Sequence, residues 1–556
     1  MVMVLAPLLP CATVRLVGDA VRVKLAGAYG FAYDNMGRVI GTTTQYSFLP
    51  GYNFQNGYAY DAASNRNAMT APDGSTVVYS YDTLNRMNTL TSSLMGQFGF
   101  GYDALSRRTQ LTRPNGVTTN YSYDAVSDLL SILHQTGSTT LDGSSYGFDY
   151  AGNRTSNTNY LASTTSTYGY DALYELLSVS GGTTESYGYD PVGNRLSSAG
   201  VPSCSYNPSN ELVSSSNGSY TYDANGNTLT DAAGKQYTWD FENRLTQVVV
   251  PGTGTVSFKY DPFGRRVYKS SPSFAGSFAY DGFNLIETVN STGTILARYT
   301  MTQNVDEPLA MMRSNGSDYY EADGMGSITS LTSSTGSIAN TYTYDSFGNM
   351  TNSTGSVRNP FVFAGREYDS ETNLYFNRAR YYNPSTGRFI SEDPIRFWGG
   401  MNFYGYVYNS PANFIDPLGL CGKSAANKDW SESETCNTFL GPAFNSATAG
   451  PVQGLLNIAH NSKGVGPYDF SYFPQYEGNT FAVNGVKMTP AQFSNYMAGF
   501  QAAAYDAKYK TGQLAEDAAE DMAVAYHPKG PYPFGLPWVY RGEQYGQWFG
   551  SWGGCR

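Results

Sequence analysis

At 556 residues the chain is longer than one ordinary domain requires and long enough to enclose a large core, so two or more units are expected. Only 14% of its residues are charged while 48 are tyrosine and 60 glycine, a mix that suits turn-rich β structure and excludes a chain built of long helices; the 15% aromatic share excludes general disorder. A formal net charge of -11 leaves no global basic footprint for a phosphate backbone, which excludes nucleic-acid binding by the main body.

Residues 1–30 open with MVMVLAPLLPCATVRLV. The apolar part is about a dozen residues, short of the roughly 20 that a bilayer-spanning helix needs, so no transmembrane segment is expected. No Lys or Arg precedes Arg15, which removes the basic leader of a signal peptide, and Pro10 spoils a lipoprotein reading of LLPC. The segment reads as a ragged N-terminal start, with upstream domains left open.

From residue 31 to 360 one unit recurs: FAYDNMGR at 31–38, YAYDAASNR at 58–66, YSYDTLNR at 79–86, FGYDALSRR at 100–108, YGYDPVGNR at 187–195, YTYDANGN at 220–227, FKYDPFGRR at 258–266 and YTYDSFGN at 342–349. Asp61, Asp82, Asp103 and Asp124 follow one another at intervals of 21 residues. Aromatic-x-Tyr places two rings on one face of a strand. The Asp then bonds backbone N–H groups and the Gly or Asn three residues on tolerates positive φ, so each unit is strand, turn, strand. One such hairpin cannot bury its aromatic face, whereas a spiral of many can.

These units resemble the YD repeats of the RHS family over roughly residues 31 to 420. The resemblance implies a mainly β fold, a YD-repeat β-hairpin spiral forming a hollow shell, followed by a small α+β C-terminal domain, in proteins that are secreted or surface-borne and package a variable C-terminal cargo. Each YD aspartate reads as a turn residue rather than a ligand. Where clear units lapse, Asp323-Gly324-Met325-Gly326-Ser327 reads as a further turn bounding a strand of the same sheet.

Residues 361–420 include YYNPSTGRFISEDP and NFYGYVYNSPANFIDPLGL, which match the RHS-associated core that plugs one end of such shells. They hold Asp393-Pro394 and Asp416-Pro417, 23 residues apart. The resemblance implies self-cleavage of the Leu420–Cys421 bond by aspartyl-protease-like chemistry, with Asp393 and Asp416 as the catalytic pair. Two carboxylates brought close do not both ionise readily, so the pair offers a base for water and an acid for the leaving nitrogen. Arg388 is the expected supporting cation. The first motif is DPIR, with Arg396 where the family has Gly, and a cation there is expected to favour the ionised form of Asp393. Two other readings stay open. Both Asp-Pro pairs serve equally as strand-ending turns, and the Cys421 thiol is placed to attack the Leu420 carbonyl, although the three histidines, His134, His460 and His527, are all distant in sequence.

Beyond Leu420 the repeat stops, and residues 421–556 read as the variable, toxin-like domain. Thr489, Pro490 and Gln492 form a capping box that opens a helix carrying the stripe Phe493, Met497, Phe500 and Ala504; a second helix is expected over 513–526, ended by Pro528. This segment holds 11 acidic and 9 basic side chains, a balance of -2 that lacks the basic patch of a nuclease. His460 and His527 lack HExxH spacing, and no metal or cofactor is expected. The five cysteines are too scattered for a framework; Cys421 with Cys436 is the simplest local disulfide, and Cys555 completes the tail's three.

The expected function is a secreted or cell-surface shell that carries its own C-terminal domain as cargo, with an immunity protein and a secretion apparatus as partners. The alternative is a non-enzymatic YD-repeat surface, adhesion or carbohydrate-binding protein.

Overall fold

The computed structural model describes residues 27–420, 422–424, 481–483 and 486–488. The two helices expected in the tail, the Cys421–Cys436 disulfide, and His460 and His527 lie outside the described residues. Ala20–Trp430 form one compact unit; Phe481–Val483 and Val486–Met488, an antiparallel pair, belong to the other.

Within the first unit, sixteen strands from Gly27–Tyr33 to Arg195–Ser198 form one antiparallel sheet in which every strand pairs only with its neighbours in sequence. A three-stranded sheet, Cys204–Tyr206, Leu212–Ser215 and Gly218–Ser219, follows, and then fourteen strands from Thr221–Tyr222 to Met350–Thr354 in the same sequential order. No α-helix occurs among the described residues.

The turn at Asp82 shows how the repeat builds this wall. Asp82 Oδ1 accepts the N–H groups of Leu84 (2.9 Å) and Arg86 (3.0 Å), and Asn85 takes the positive φ of 59°. Arg86 Nε returns to Asp82 Oδ2 at 2.7 Å, and its Nη1 reaches the Asp103 carbonyl of the next turn at 3.1 Å. The same guanidinium lies 4.9 Å from the ring centre of Tyr102, whose hydroxyl donates back to the Met87 carbonyl at 2.8 Å. Arg107 and Tyr123 repeat the arrangement one unit on. These YD turns are therefore closed by their own Asp and, where the fourth residue on is Arg, fastened to their successors by it, while the tyrosine hydroxyl is spent on backbone.

The irregular stretch conforms. Met325 N and Ser327 N donate to Asp323 Oδ1 at 2.8 and 2.9 Å, and Gly326 carries φ 82°, so this is the same turn between strands Gly316–Ala322 and Ile328–Ser333.

The two long sheets share cores. Tyr79, Leu90 and Phe98 of the first pack with Ile286, Leu309 and Tyr319 of the second, and Tyr46 Oη donates across to the Phe278 carbonyl at 2.9 Å. Residues 361–420 are built into this packing: Phe361, Tyr375, Tyr382 and Phe389 join Phe278, Tyr320 and Leu331, while Phe376 and Tyr381 join Val248 and Phe258. Alternate faces of the short strands Leu374–Asn377 and Arg380–Asn383 thus serve two different cores, which is why all eight residues are buried.

Candidate active site

The strand Arg380–Asn383 pairs with Arg388–Phe389, and the chain then enters the first Asp-Pro turn. Asp393 N donates to the Phe403 carbonyl and Asp393 Oδ1 accepts Ile395 N, both at 2.9 Å. The second Asp-Pro turn follows strand Phe414–Ile415. There Asp416 Oδ1 accepts Leu420 N at 3.0 Å, and Gly419 carries φ 67°. A Cβ at Gly419 would stand 2.2 Å from the Asn377 carbonyl oxygen, so the turn demands glycine by contact as well as by φ.

Both turns are relatives of the YD turn, with an Asp side chain bonding N–H groups ahead of it and a positive φ three residues on, at Arg396 (51°) and Gly419. What differs is the fourth residue. In YD units it is commonly Arg or Asn and covers Oδ2; after Asp393 and Asp416 it is Phe397 and Leu420, whose side chains offer no donor. The two Oδ2 atoms instead face one nitrogen. Arg380 Nη2 stands 2.9 Å from Asp393 Oδ2 and 3.4 Å from Asp416 Oδ2.

Arg380 spends its other donors beside the same segment. Its Nε donates to the Gly419 carbonyl at 2.6 Å, its Nη1 to the Phe403 carbonyl at 2.9 Å, and its guanidinium stacks 3.6 Å from the centre of the Phe389 ring. Phe414↔Ser424 and Ile415↔Lys423 pair as antiparallel partners on either side of the Asp-Pro turn that ends at Leu420. A Cβ placed at Gly399 would sit 2.4 Å from Asp393 Oδ2 and 3.2 Å from the Leu420 carbonyl oxygen, so those two oxygens border one small space that only a glycine leaves open.

Asp393 and Asp416 are almost wholly buried, at 4% and 2% exposure. Burial pushes the Asp393 carboxyl up to about 7; Arg380 and the Ile395 N–H pull it down and Asp416 adds to the rise. The arrangement can hold one carboxyl that exchanges its proton near neutrality beside the carbonyl of Leu420.

Arg388 is not the cation at this position. It lies over the rings of Tyr206 and Tyr404, at 4.9 and 4.7 Å, and donates to the Asn210 carbonyl. Arg396 meets Asp393 through its backbone, its N–H donating to the Asp393 carbonyl at 2.9 Å. Its charge bears on Glu392, where it opposes the upward push of burial. His134 is buried between Thr119, Glu321 and the Ala322 carbonyl. Cys421 lies outside the described residues, and no cluster of metal-ligand type occurs among those described. Arg380, the residue that sequence reasoning missed, stands in RARYY, where alternation along the strand aims Arg380 inward with Tyr382; Arg378, two residues earlier, is held by Asp306 Oδ1 at 2.6 Å.

Comparison with known proteins agrees with this architecture. The chain is 32% identical over 230 residues to a tRNA3(Ser)-specific nuclease WapA of Bacillus spizizenii, covering 39% of this chain and 10% of that protein. It is 28% identical over 293 residues to a double-stranded DNA deaminase toxin A of Burkholderia cenocepacia, covering 45% and 20%. The chain thus spans a fifth or less of the length of these curated relatives. In fold it matches a crystal structure of TcdB2-TccC3 without its hypervariable C-terminal region, with a TM-score of 0.62 and 22% identity over 71% of this chain and 24% of that one. No helix among the described residues is long and apolar enough to cross a membrane. The family model of the teneurin YD-shell matches residues 95–409, more than half of the chain, and the protein belongs to that family of RHS/YD-repeat shell proteins.

Proposed function

We propose that the protein is a shell-type toxin carrier that encloses residues 421–556 as cargo and frees them by cutting its own chain after Leu420. The observation that carries this reading is the meeting of Asp393 and Asp416 at one Arg380 nitrogen, with the Leu420 N–H on Asp416 and the Leu420 carbonyl oxygen beside Asp393. The relatives lend support: they are named for different activities, a tRNA nuclease and a DNA deaminase toxin, and the fold neighbour is named for having a hypervariable C-terminal region. A common shell with exchangeable cargo accounts for that pattern. A toxic cargo requires an immunity protein in the producing cell and an export route, which makes the protein secreted or surface-borne.

In the proposed reaction, ionised Asp393 takes a proton from a water molecule as the water oxygen adds to the Leu420 carbonyl carbon. The bond from that carbon to the Cys421 nitrogen then breaks, and the proton passes from Asp393 to the departing nitrogen. The products are a Leu420 carboxylate and a Cys421 amine. Asp416 holds the Leu420 N–H throughout. General base catalysis of this kind supplies about 10²–10⁴-fold.

The test is the intact mass of purified full-length protein and two variants. Wild type and Cys421→Ala should give two fragments, and Asp393→Asn one uncut chain. A Cys421→Ala chain that stays whole while Asp393→Asn splits would replace the aspartate chemistry with thiol attack.

A further inference from the structure

We propose that Arg195 and Arg388 jointly bind one small tetrahedral oxyanion, of the phosphate or sulfate type, where residues 361–420 meet the last strands of the first sheet. The site is separate from the Asp393–Asp416 pair and does not depend on the proposed cleavage.

Buried arginines elsewhere in the described residues are compensated. Arg113, Arg266, Arg366 and Arg380 each contact a carboxylate, and Arg154 gives its guanidinium to the carbonyls of Ala412 and Gly324 at 2.9 and 3.2 Å. Arg195 and Arg388 differ. Each is 7% exposed, neither forms an ion pair with a described carboxylate, and Nε and Nη2 of Arg195 and Nε of Arg388 have no acceptor. Ring faces hold Arg195 instead, Phe347 at 3.8 Å and Tyr187 at 4.9 Å. Arg388 lies between Tyr206 and Tyr404 and gives only Nη2 to the Asn210 carbonyl. Aromatic faces return a fraction of the hydration that a buried guanidinium gives up, so an uncompensated pair is strongly destabilising.

The two side chains belong to one place. The Arg195 guanidinium packs on Gly387, the neighbour of Arg388, closely enough to leave no room for a Cβ there. Tyr206 donates its hydroxyl to the Arg195 carbonyl at 2.7 Å while its ring lies against Arg388. Cys204, two residues before Tyr206 and on the same face of the strand Cys204–Tyr206, senses both: burial raises its thiol, and the charges of Arg195 and Arg388 each oppose the rise.

The acids nearby are committed elsewhere. Glu185 accepts Tyr187 Oη at 2.7 Å and Ser346 N at 3.2 Å, Asp345 closes its own turn on Phe347 N and Asn349 N at 3.0 and 2.8 Å, and Glu211 accepts Asn207 Nδ2. Two guanidiniums with open N–H groups offer a tetrahedral oxyanion several charge-assisted hydrogen bonds. Their burial admits an ion and excludes a nucleic acid or a lipid headgroup. Bound there, the ion fastens the strand Arg388–Phe389 to the strand Arg195–Ser198.

The experiment is thermal unfolding of purified full-length protein in low-millimolar phosphate or sulfate, titrated separately, with ionic strength held constant by chloride. The wild-type midpoint should rise and saturate, by about 2 °C or more, and the anion that saturates at the lower concentration is the preferred one. Arg195→Met and Arg388→Met should each lose the rise. No rise in wild type, or a rise that survives in either variant, overturns the shared site; the second result marks a general salt effect instead. If a variant fails to fold, the wild type decides through alkylation of Cys204, followed by the mass of its peptide. Saturating phosphate or sulfate should slow that reaction several-fold, because the ion cancels the charges that favour the thiolate. A rate the same as in chloride overturns the proposal.

Discussion

Asp393 and Asp416, 23 residues apart in the chain, direct their Oδ2 atoms at the same nitrogen of Arg380, at 2.9 and 3.4 Å. Each sits in a turn of the kind that elsewhere among the described residues reverses a strand. Several YD aspartates near the surface are paired within their own turns by an arginine four residues on, as Asp82 is by Arg86 at 2.7 Å. At the end of the shell that residue is Phe397 or Leu420, so the carboxylate oxygen is left for a partner from elsewhere. Omitting one turn partner twice leaves both buried carboxylates to a single guanidinium.

The turn demands a positive φ three residues after its Asp, and Arg396 supplies 51° where glycine is strain-free. Arg396→Gly should raise stability by about 1 kcal/mol, read as a higher thermal midpoint, while cutting persists because the Arg396 charge bears on Glu392 rather than on Asp393.

Gly419 carries the opposite expectation. Its Cβ would strike the Asn377 carbonyl at 2.2 Å and approach the Arg380 N–H nitrogen at 3.0 Å. Gly419→Ala should displace the segment that presents Leu420 and slow cutting by about 10-fold or more, with the sheets still resistant to protease. An alanine variant that cuts at the wild-type rate would show that the closing turn does not set the geometry.

The repeat turns can be ranked by burial. Asp261 is 1% exposed; its Oδ1 accepts Phe263 N (3.0 Å) and Arg265 N (2.9 Å), and Arg265 Nε holds Oδ2 at 2.7 Å. Asp261→Ala removes the acceptor for both N–H groups and strands a half-buried guanidinium, at a cost of about 3 kcal/mol. Asp34→Ala, in an exposed copy of the same turn, should cost clearly less. Urea midpoints of the two variants give the comparison.

A separate pH effect is expected at Glu287, which is 1% exposed. Burial, reinforced by Asp73 and opposed by Arg298, pushes its carboxyl from 4.5 up to about 7. A raised carboxyl binds its proton more tightly in the folded state, so its contribution to stability is complete below pH 4.5 and is lost as pH rises through 7. Glu287→Gln should therefore gain on wild type by about 3 kcal/mol between pH 4.5 and 8, measured by urea unfolding. A constant difference across that range would contradict the assignment.

Much of the fold was legible because the YD unit writes its local geometry in full: alternating aromatics give strands, and Asp with a Gly or Asn three residues on gives the turn. The same chemistry identified Asp323-Gly324-Met325-Gly326-Ser327 as a turn where the aromatic signature lapses. The Asp393 and Asp416 pairing came from the resemblance, and the tight packing of residues 361–420 into both sheets explains how residues so far apart in sequence meet. The cation was misjudged because Arg388 is nearer to Asp393 in sequence. The hairpin that pairs Asn377 with Arg380 and Tyr382 with Phe389 decides otherwise, aiming Arg380 at the aspartates.

The most direct measurement is the N-terminal residue of any small fragment that accompanies the purified shell. The account predicts a fragment beginning at Cys421, absent from Asp393→Asn. A single uncut chain of 60.5 kDa, or a fragment beginning elsewhere, would contradict it.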